Sequence, residues 1–253
     1  MKIAVSGKGG AGKSTIAAQL IRCFTCNGQP VFAVDADPDA NLGLVLGLDE
    51  FKLGKLRPVA ELQDVIDAKN AGGGTFVDLN PDVSDVLDSY TLKEGKLSFL
   101  KMGAVKQGGS SCYCKENSFL NSVLNSMLLD RPEAVVLDMS AGIEHLTRGT
   151  ARGIAVMLVV VEPTRAGVST ALAVEQLSKD LKINKIFFVG NKIRSEEDKT
   201  YLKDSLPGRE FLAMMPFSDL ILEKARKGEP LIVSESDYLP GLQNVYEHIV
   251  GGG

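Results

Sequence analysis

The segment Gly7 to Ser14 reads Gly-Lys-Gly-Gly-Ala-Gly-Lys-Ser and fits the pattern G-x-x-x-x-G-K-S. The run Ile3-Ala4-Val5 before it is typical of a buried strand, and the apolar spacing after it predicts a helix over about 14–26. This order of strand, glycine loop and helix is the context that the motif requires. In that arrangement successive backbone N–H groups point into one concavity, which suits phosphate. The motif therefore predicts a phosphate loop at the start of an α/β domain.

This loop predicts binding and hydrolysis of a nucleoside triphosphate, with ATP/ADP and Mg²⁺ as ligands. Lys13 is expected to reach the β and γ phosphates, and the Ser14 hydroxyl is expected to coordinate Mg²⁺. The residues expected to surround the phosphates are Gly7, Lys8, Gly9, Gly10, Ala11, Gly12, Lys13, Ser14 and Thr15.

Short β-branched runs alternate with helical patterns along the whole chain, which predicts a doubly wound, mostly parallel β-sheet with helices on both faces. The predicted strands lie near 3–5, 31–34, 97–100, 134–137, 155–161, 185–189 and 211–214. The predicted helices lie near 14–26, 117–129, 145–152, 166–181, 196–204, 218–227 and 239–249. We predict one domain over residues 1–253 with a peripheral insertion at about 50–95, and a solvated loop without a specific role is the alternative for that insertion.

The composition limits the classes of partner. The chain has 253 residues and a net charge of -4, so no basic face is evident for nucleic acid or an anionic membrane. It contains neither a run of 18 apolar residues nor the apolar stretch of a signal peptide. We therefore expect a soluble, cytoplasmic protein that binds no nucleic acid and no membrane. In that compartment the pairs Cys23/Cys26 and Cys112/Cys114 are not expected to form disulfides.

A second lysine, Lys8, stands inside the loop, giving Lys-Gly-Gly-x-Gly-Lys-Ser. With this lysine the loop resembles the deviant Walker A group of ATPases, which includes MinD, ParA and the iron protein of nitrogenase. The resemblance implies that Lys8 reaches across a homodimer interface to the nucleotide of the other subunit. It also implies that hydrolysis requires dimerisation.

Two further segments are similar to the switches of the same group. Asp37 precedes Pro38 after the second predicted strand, and the resemblance gives it the role of orienting the attacking water or holding the Mg²⁺ shell. Asp138 ends the strand Val135-Val136-Leu137 and would bind Mg²⁺ through water. Asp35, in the first of these segments, is a weaker candidate, and the alternative for Asp35 and Asp37 is that they only begin a turn.

The second switch also separates this chain from one branch of the group. In the nitrogenase iron protein and its relatives a cluster-ligating cysteine follows the strand aspartate by three residues, and here that position is Ala141. An iron–sulfur cluster held in that manner is not expected. Further on, the resemblance places Asn191 and Lys192 at the adenine edge, which favours ATP over GTP, and it places Pro216 over the base.

Cys112 and Cys114 are separated by one residue, so both thiols could face one ion. Two sulfurs do not complete a tetrahedral thiolate site, whereas two such pairs in a dimer would. Two ordinary cysteines are the alternative. The surrounding stretches, Gly108 to Leu124 and Ser140 to Ala151, resemble the CooC-type nickel-insertion ATPases of carbon monoxide dehydrogenase maturation. This resemblance implies Ni²⁺ or Zn²⁺ bound by Cys112 and Cys114 across a dimer, and the ligand type leaves the choice of metal open.

The remaining cysteines and His145 are weaker candidates. Cys23 and Cys26 share one face of a predicted helix and are expected to be buried as small apolar residues. His145 could serve as a further ligand, although packing or a helix-end hydrogen bond explains it as well.

The leading hypothesis for function is an ATP-dependent nickel metallochaperone for carbon monoxide dehydrogenase or acetyl-CoA synthase. The alternatives are a spatial organiser of the MinD or ParA kind and an iron–sulfur reductase component. MinD-like proteins end in a basic amphipathic helix, whereas residues 242–250 contain no lysine or arginine.

Overall fold

The computed structural model describes residues 1–62, 64–65, 83, 87, 89–103, 112–143, 146–147, 149–231 and 239–251; for residues 112–118, 130 and 239 only the backbone is described. The described residues form one eight-stranded sheet in the order β3-β4-β2-β5-β1-β6-β7-β8. Every neighbouring pair is parallel except β3 and β4. The strands are β1 Lys2–Gly7, β2 Val31–Ala36, β3 Leu92–Glu94, β4 Leu97–Lys101, β5 Ala134–Met139, β6 Val156–Val161, β7 Ile186–Ile193 and β8 Phe211–Pro216. The predicted fold class is confirmed.

Helices cover both faces of the sheet, and the strands between them are apolar on successive residues. Strands β1, β2, β5 and β6 are buried at every position, as expected for a parallel sheet covered on both sides. The α-helices are α1 Lys13–Cys26, α2 Leu42–Leu46, α3 Glu50–Lys55, α4 Cys112–Asn125, α5 Arg165–Asp180, α6 Glu196–Ser205, α7 Asp219–Lys227 and α8 Leu239–Gly251.

Local capping explains where several helices begin. Thr164 and Ser218 lie immediately before α5 and α7, and their hydroxyl oxygens accept the backbone N–H groups of Gly167 and Ile221. Ser195 caps α6 in the same way. Each cap satisfies one of the N–H groups that a helix start leaves unpaired, so these three helices begin within a residue or so of their predicted positions.

Two predicted helices differ from the structure. Helix α4 begins at Cys112 rather than near 117, and it continues after Asn125 as a π-helical segment, Ser126–Asp130. The described residues within 145–152 form no α-helix; a short 3-10 turn, Thr150–Gly153, follows instead. There the Thr150 hydroxyl accepts the N–H of Thr147 at 2.8 Å, and such local hydrogen bonds compete with a regular helix.

Two short helices and the edge strand β3 were not predicted within the region from 42 to 95. Helix α3 begins after Asp49, whose carboxylate accepts the N–H of Lys52, and β3 pairs antiparallel with β4 at the edge of the sheet. Four described apolar residues of the predicted insertion, Val59, Leu62, Val83 and Leu87, lie in the core on one face of the sheet and are at most 3% exposed. The division into domain and insertion stays a prediction.

Among the described residues, no helix combines the length and the apolar character needed to cross a membrane.

Candidate nucleotide site

The phosphate loop lies at the centre of the sheet, where the carboxyl ends of five strands meet. It follows β1, which has β5 on one side and β6 on the other. Strand β2 lies beyond β5 and strand β7 beyond β6. Ligands of parallel sheets bind at this edge, and most of the predicted site residues lie here.

Two glycines of the loop are required by close contacts. A Cβ atom on Gly7 would lie 2.2 Å from the Val160 carbonyl oxygen, and one on Gly12 would lie 2.3 Å from the Asn191 Nδ2 atom. Both residues have positive φ angles, 148° and 95°, which side chains other than hydrogen rarely allow. These glycines let the loop pack against β6 and β7, and α1 begins directly after Gly12.

Lys13 is the buried cation of the loop. Its side chain is 7% exposed, and its Nζ atom lies 3.2 Å from the Asp37 Oδ2 atom. The other Asp37 oxygen accepts the N–H of Asp39 at 3.2 Å. The structure therefore brings the first predicted switch to the phosphate loop.

Asp35 and Asp138 lie side by side across β2 and β5, paired in register. They are 1% and 0% exposed. The Leu42 N–H donates to the Asp35 Oδ2 atom at 3.0 Å, whereas the Asp35 Oδ1 atom and both Asp138 oxygens accept no hydrogen bond of ordinary geometry from a described residue. Buried carboxylate oxygens without partners are costly, so this pair is suited to a cation.

Burial raises the pKa values of both carboxyl groups. The pKa of Asp35 rises to about 7, because burial and the charge of Asp138 outweigh the N–H groups of Leu42 and Asp37. The pKa of Asp138 rises to about 6 by burial, although the Ser14 hydroxyl and the Lys13 charge lower it. Among the described residues no group of three or more His, Cys, Asp or Glu side chains could hold a metal ion. Mg²⁺ at this point would thus depend on the Ser14 hydroxyl, nucleotide oxygens and water as well, which is its usual coordination.

On the β6 side, Lys8 is paired within its own chain. Its Nζ atom lies 2.8 Å from the Glu162 Oε1 atom. Glu162 follows β6 directly and belongs to no motif in the sequence. The one sequence signal for it is a carboxylate at the end of a fully apolar strand, which the sheet topology brings beside the loop.

Asn191 and Lys192 also contact the loop. The Asn191 Nδ2 atom donates to the Ala11 carbonyl oxygen at 2.7 Å, and the Lys192 Nζ atom donates to the Gly10 carbonyl oxygen. Pro216 lies at the end of β8, paired with Ile193 of β7. A largely apolar cavity of about 300 Å³ opens beside Thr15, between α2 and α7. None of the three residues predicted at the base lines that cavity.

The structure describes the side chains of Cys23 and Cys26 but only the backbone of Cys112 and Cys114. Cys112 and Cys114 lie in the first turn of α4, while their side chains, and His145 altogether, lie outside the described residues. Cys23 is buried as predicted, and burial with the neighbouring Cys26 raises its pKa to about 11. The prediction of burial is wrong for Cys26, which is exposed because it is the last residue of α1.

Comparison with known proteins finds similarity over almost the whole chain. Residues 2–231 match the family CbiA, described as the CobQ/CobB/MinD/ParA nucleotide binding domain. An uncharacterized ATP-binding protein of Methanocaldococcus jannaschii is 35% identical over 99% of this chain and 98% of its own length. The carbon monoxide dehydrogenase accessory protein CooC of Rhodospirillum rubrum is 37% identical over 87% of this chain and 85% of its own length.

A solved structure shares the same fold. The MinC:MinD cell division protein complex of Aquifex aeolicus contains a chain that matches with a TM-score of 0.71 and 19% identity. The match covers 99% of the present chain and 95% of that one.

Proposed function

We propose that this chain, which belongs to the CobQ/CobB/MinD/ParA family of nucleotide-binding domains, is a nickel metallochaperone for carbon monoxide dehydrogenase or acetyl-CoA synthase. As a member of this family it is an ATPase that uses ATP and Mg²⁺. The similarity to the accessory protein CooC supports the finer assignment. The observation that carries the ATP-dependent part is the buried carboxylate pair Asp35/Asp138 beside Lys13 of the loop.

The residues at the loop account for hydrolysis as follows. Lys13 leaves Asp37 for the β and γ phosphates, because a triphosphate offers more negative charge than one carboxylate. Asp37 is then released to orient the attacking water. Ser14, Asp35 and Asp138 would hold Mg²⁺, partly through water, and the ion would neutralise charge on the phosphates. Lys8 would supply a further positive charge to the nucleotide of the partner chain.

We place the cargo ion on Cys112 and Cys114. Both cysteines lie in the first turn of α4, where the positive end of the helix favours thiolates. One chain supplies two sulfurs, so a four-sulfur site for Ni²⁺ or Zn²⁺ requires the dimer. ATP binding, dimerisation and metal binding would then be linked, and each would strengthen the others.

The test is metal titration of the purified protein with Ni²⁺ or Zn²⁺, with and without ADP or a non-hydrolysable ATP analogue, followed by mass measurement. We expect one metal ion per dimer, bound more tightly when nucleotide is present. The variant Cys112→Ser/Cys114→Ser should lose the metal and keep nucleotide binding, whereas the control Cys26→Ser, which removes an exposed cysteine, should behave like the unmodified chain. If the double variant bound one metal ion per dimer, the site would be wrong.

The identity of the client enzyme is tested by nickel transfer. Nickel-loaded protein should activate nickel-free carbon monoxide dehydrogenase or acetyl-CoA synthase in the presence of ATP, and the cysteine double variant should not.

The structural similarity to a MinC:MinD complex favours one alternative, a nucleotide-switched spatial organiser. Such a protein would bind anionic vesicles or DNA at low salt when loaded with ATP. Helix α8 carries no lysine or arginine, so we expect neither interaction. An iron–sulfur reductase component would be brown after anaerobic purification, and we expect a colourless protein.

A further inference from the structure

Glu162 has both carboxylate oxygens engaged by residues around the phosphate loop. Its Oε1 atom lies 2.8 Å from the Lys8 Nζ atom and accepts the Thr164 hydroxyl at 3.3 Å. Its Oε2 atom lies 3.8 Å from the Lys192 Nζ atom. The side chain is only 14% exposed. One carboxylate therefore holds the two lysines on the β6/β7 side of the loop.

The backbone fixes Glu162 in this position. Gly7 and Val160 pair in register across β1 and β6, and the missing side chain of Gly7 lets the two strand ends approach, which brings Lys8 beside Glu162. At the other side, a Cβ atom on Gly167 would lie 2.5 Å from the Glu162 carbonyl oxygen and 3.0 Å from its Cγ atom. The start of α5 thus packs directly on Glu162.

The Glu162 carboxylate is charged at neutral pH. Burial alone would raise the pKa of Glu162, but the hydrogen bond and charge of Lys8, together with Lys192 and Thr164, bring it below its ordinary value. The Glu162 carboxylate, 2.8 Å from the Lys8 Nζ atom, would therefore compete for the ammonium with a phosphate in another chain.

We propose that Glu162 is a positioning residue that holds Lys8 against its own chain, so that nucleotide-dependent dimerisation must first break the Lys8–Glu162 ion pair. The inference rests on the proposed role of Lys8 at the partner's nucleotide. When two loaded chains meet, each Lys8 exchanges a carboxylate for a phosphate, and Glu162 retains Lys192. The ion pair therefore raises the protein concentration at which dimers form.

The variant Glu162→Gln removes the charge and keeps the size of the side chain. With Mg²⁺ and a non-hydrolysable ATP analogue, its dimerisation midpoint in sedimentation or light scattering should be roughly 3- to 10-fold lower, as expected for a partly exposed ion pair. At protein concentrations below the dimerisation midpoint of the unmodified chain, the variant should hydrolyse ATP faster, in proportion to its larger fraction of dimer. Salt at about 1 M should make the dimerisation midpoints of the variant and the unmodified chain equal, because it screens the Lys8–Glu162 ion pair.

Glu175→Gln is a matched control. Glu175 is also a partly buried glutamate, 11% exposed, that binds two cations, Lys179 at 2.7 Å and Arg209 at 3.1 Å. It lies on α5 away from the loop, and its substitution should leave the dimerisation midpoint unchanged.

Repeating both measurements in a Lys8→Ala background separates the outcomes. Glu162→Gln should have no effect there, because the residue acts through Lys8. If Glu162→Gln left dimerisation unchanged or weakened it, or if its effect persisted without Lys8, the inference would be overturned while the role of Lys8 stood. If Lys8→Ala alone dimerised and hydrolysed ATP normally, the proposed role of Lys8 would itself be wrong, and the inference would fail with it.

Discussion

The two sides of the phosphate loop differ in how far the protein satisfies its own polar groups. On the β2/β5 side, Asp35 and Asp138 are buried with three carboxylate oxygens that accept no hydrogen bond of ordinary geometry from a described residue. On the β6/β7 side, Glu162 binds two lysines and a hydroxyl, and Asn191 and Lys192 donate to the loop. On the first side, the carboxylate oxygens need a cation to be satisfied. On the second side, the polar groups are satisfied within the single chain, and the Lys8–Glu162 ion pair must break before Lys8 can bind elsewhere.

This contrast has opposite consequences for stability and function. Buried aspartates with unsatisfied carboxylate oxygens destabilise the fold, and a bound cation would satisfy those oxygens. The ion pairs at Glu162 contribute only a little to stability. Their proposed role is to control when Lys8 leaves Glu162. The following predictions test the contrast, beginning with the largest effect.

Asp138→Asn should lower ATP hydrolysis by about 100-fold or more, because a carboxylate that stabilises the metal and the phosphate charge is lost. The same change should leave the unfolding free energy of the ligand-free protein at pH 7.5 equal or higher, since it removes a buried charge. Steady-state ATPase assays and urea denaturation measure the two effects. A variant that was both active and less stable would contradict the contrast on the β2/β5 side.

Asp35→Asn should stabilise the ligand-free protein by up to about 4 kcal/mol at pH 7.5, because each unit of pKa difference corresponds to about 1.4 kcal/mol. The pKa of Asp35 is about 7 in the folded chain and about 3.9 in an unfolded one. The unmodified protein therefore loses stability as the pH rises from about 4 to about 7, and below about 4 the carboxyl is protonated in both states. Denaturation curves at pH 4.5 and 7.5 should show the advantage of Asn growing with pH, and an advantage independent of pH would exclude this cause.

Glu162→Gln and Glu175→Gln should each lower the unfolding free energy at pH 7.5 by about 1 kcal/mol or less, because the cations that they bind are 27–56% exposed. The pKa values of both carboxyl groups are lowered, so this contribution exists above their unfolded pKa values and is lost as the pH falls through the folded ones. The test is urea denaturation of each variant in low and high salt. A loss several times larger for Glu162 would mean that its ion pairs maintain the fold.

The sequence predicted the elements whose signals are local. The phosphate loop, most of the strands and the capped helices α5, α6 and α7 each depend on a few consecutive residues, and the structure has them at or near the predicted positions. Short elements such as α2 and β3 give too few residues for a periodic pattern. The described residues within the predicted helix at 145–152 form no α-helix, and there the hydroxyl groups of Thr147 and Thr150 each accept the other residue's backbone N–H.

The sequence by itself determined the chemistry of the loop: the glycines, Lys13, Ser14 and the aspartates that follow two strands. Only the tertiary structure decided which of these groups are satisfied. The pairing of β2 with β5 brings Asp35 and Asp138 together from positions about 100 residues apart, and the approach of β1 to β6 joins Lys8 to Glu162. The physical reason is that burial and ion pairing depend on neighbours in space, and strand order, which no local pattern specifies, selects those neighbours.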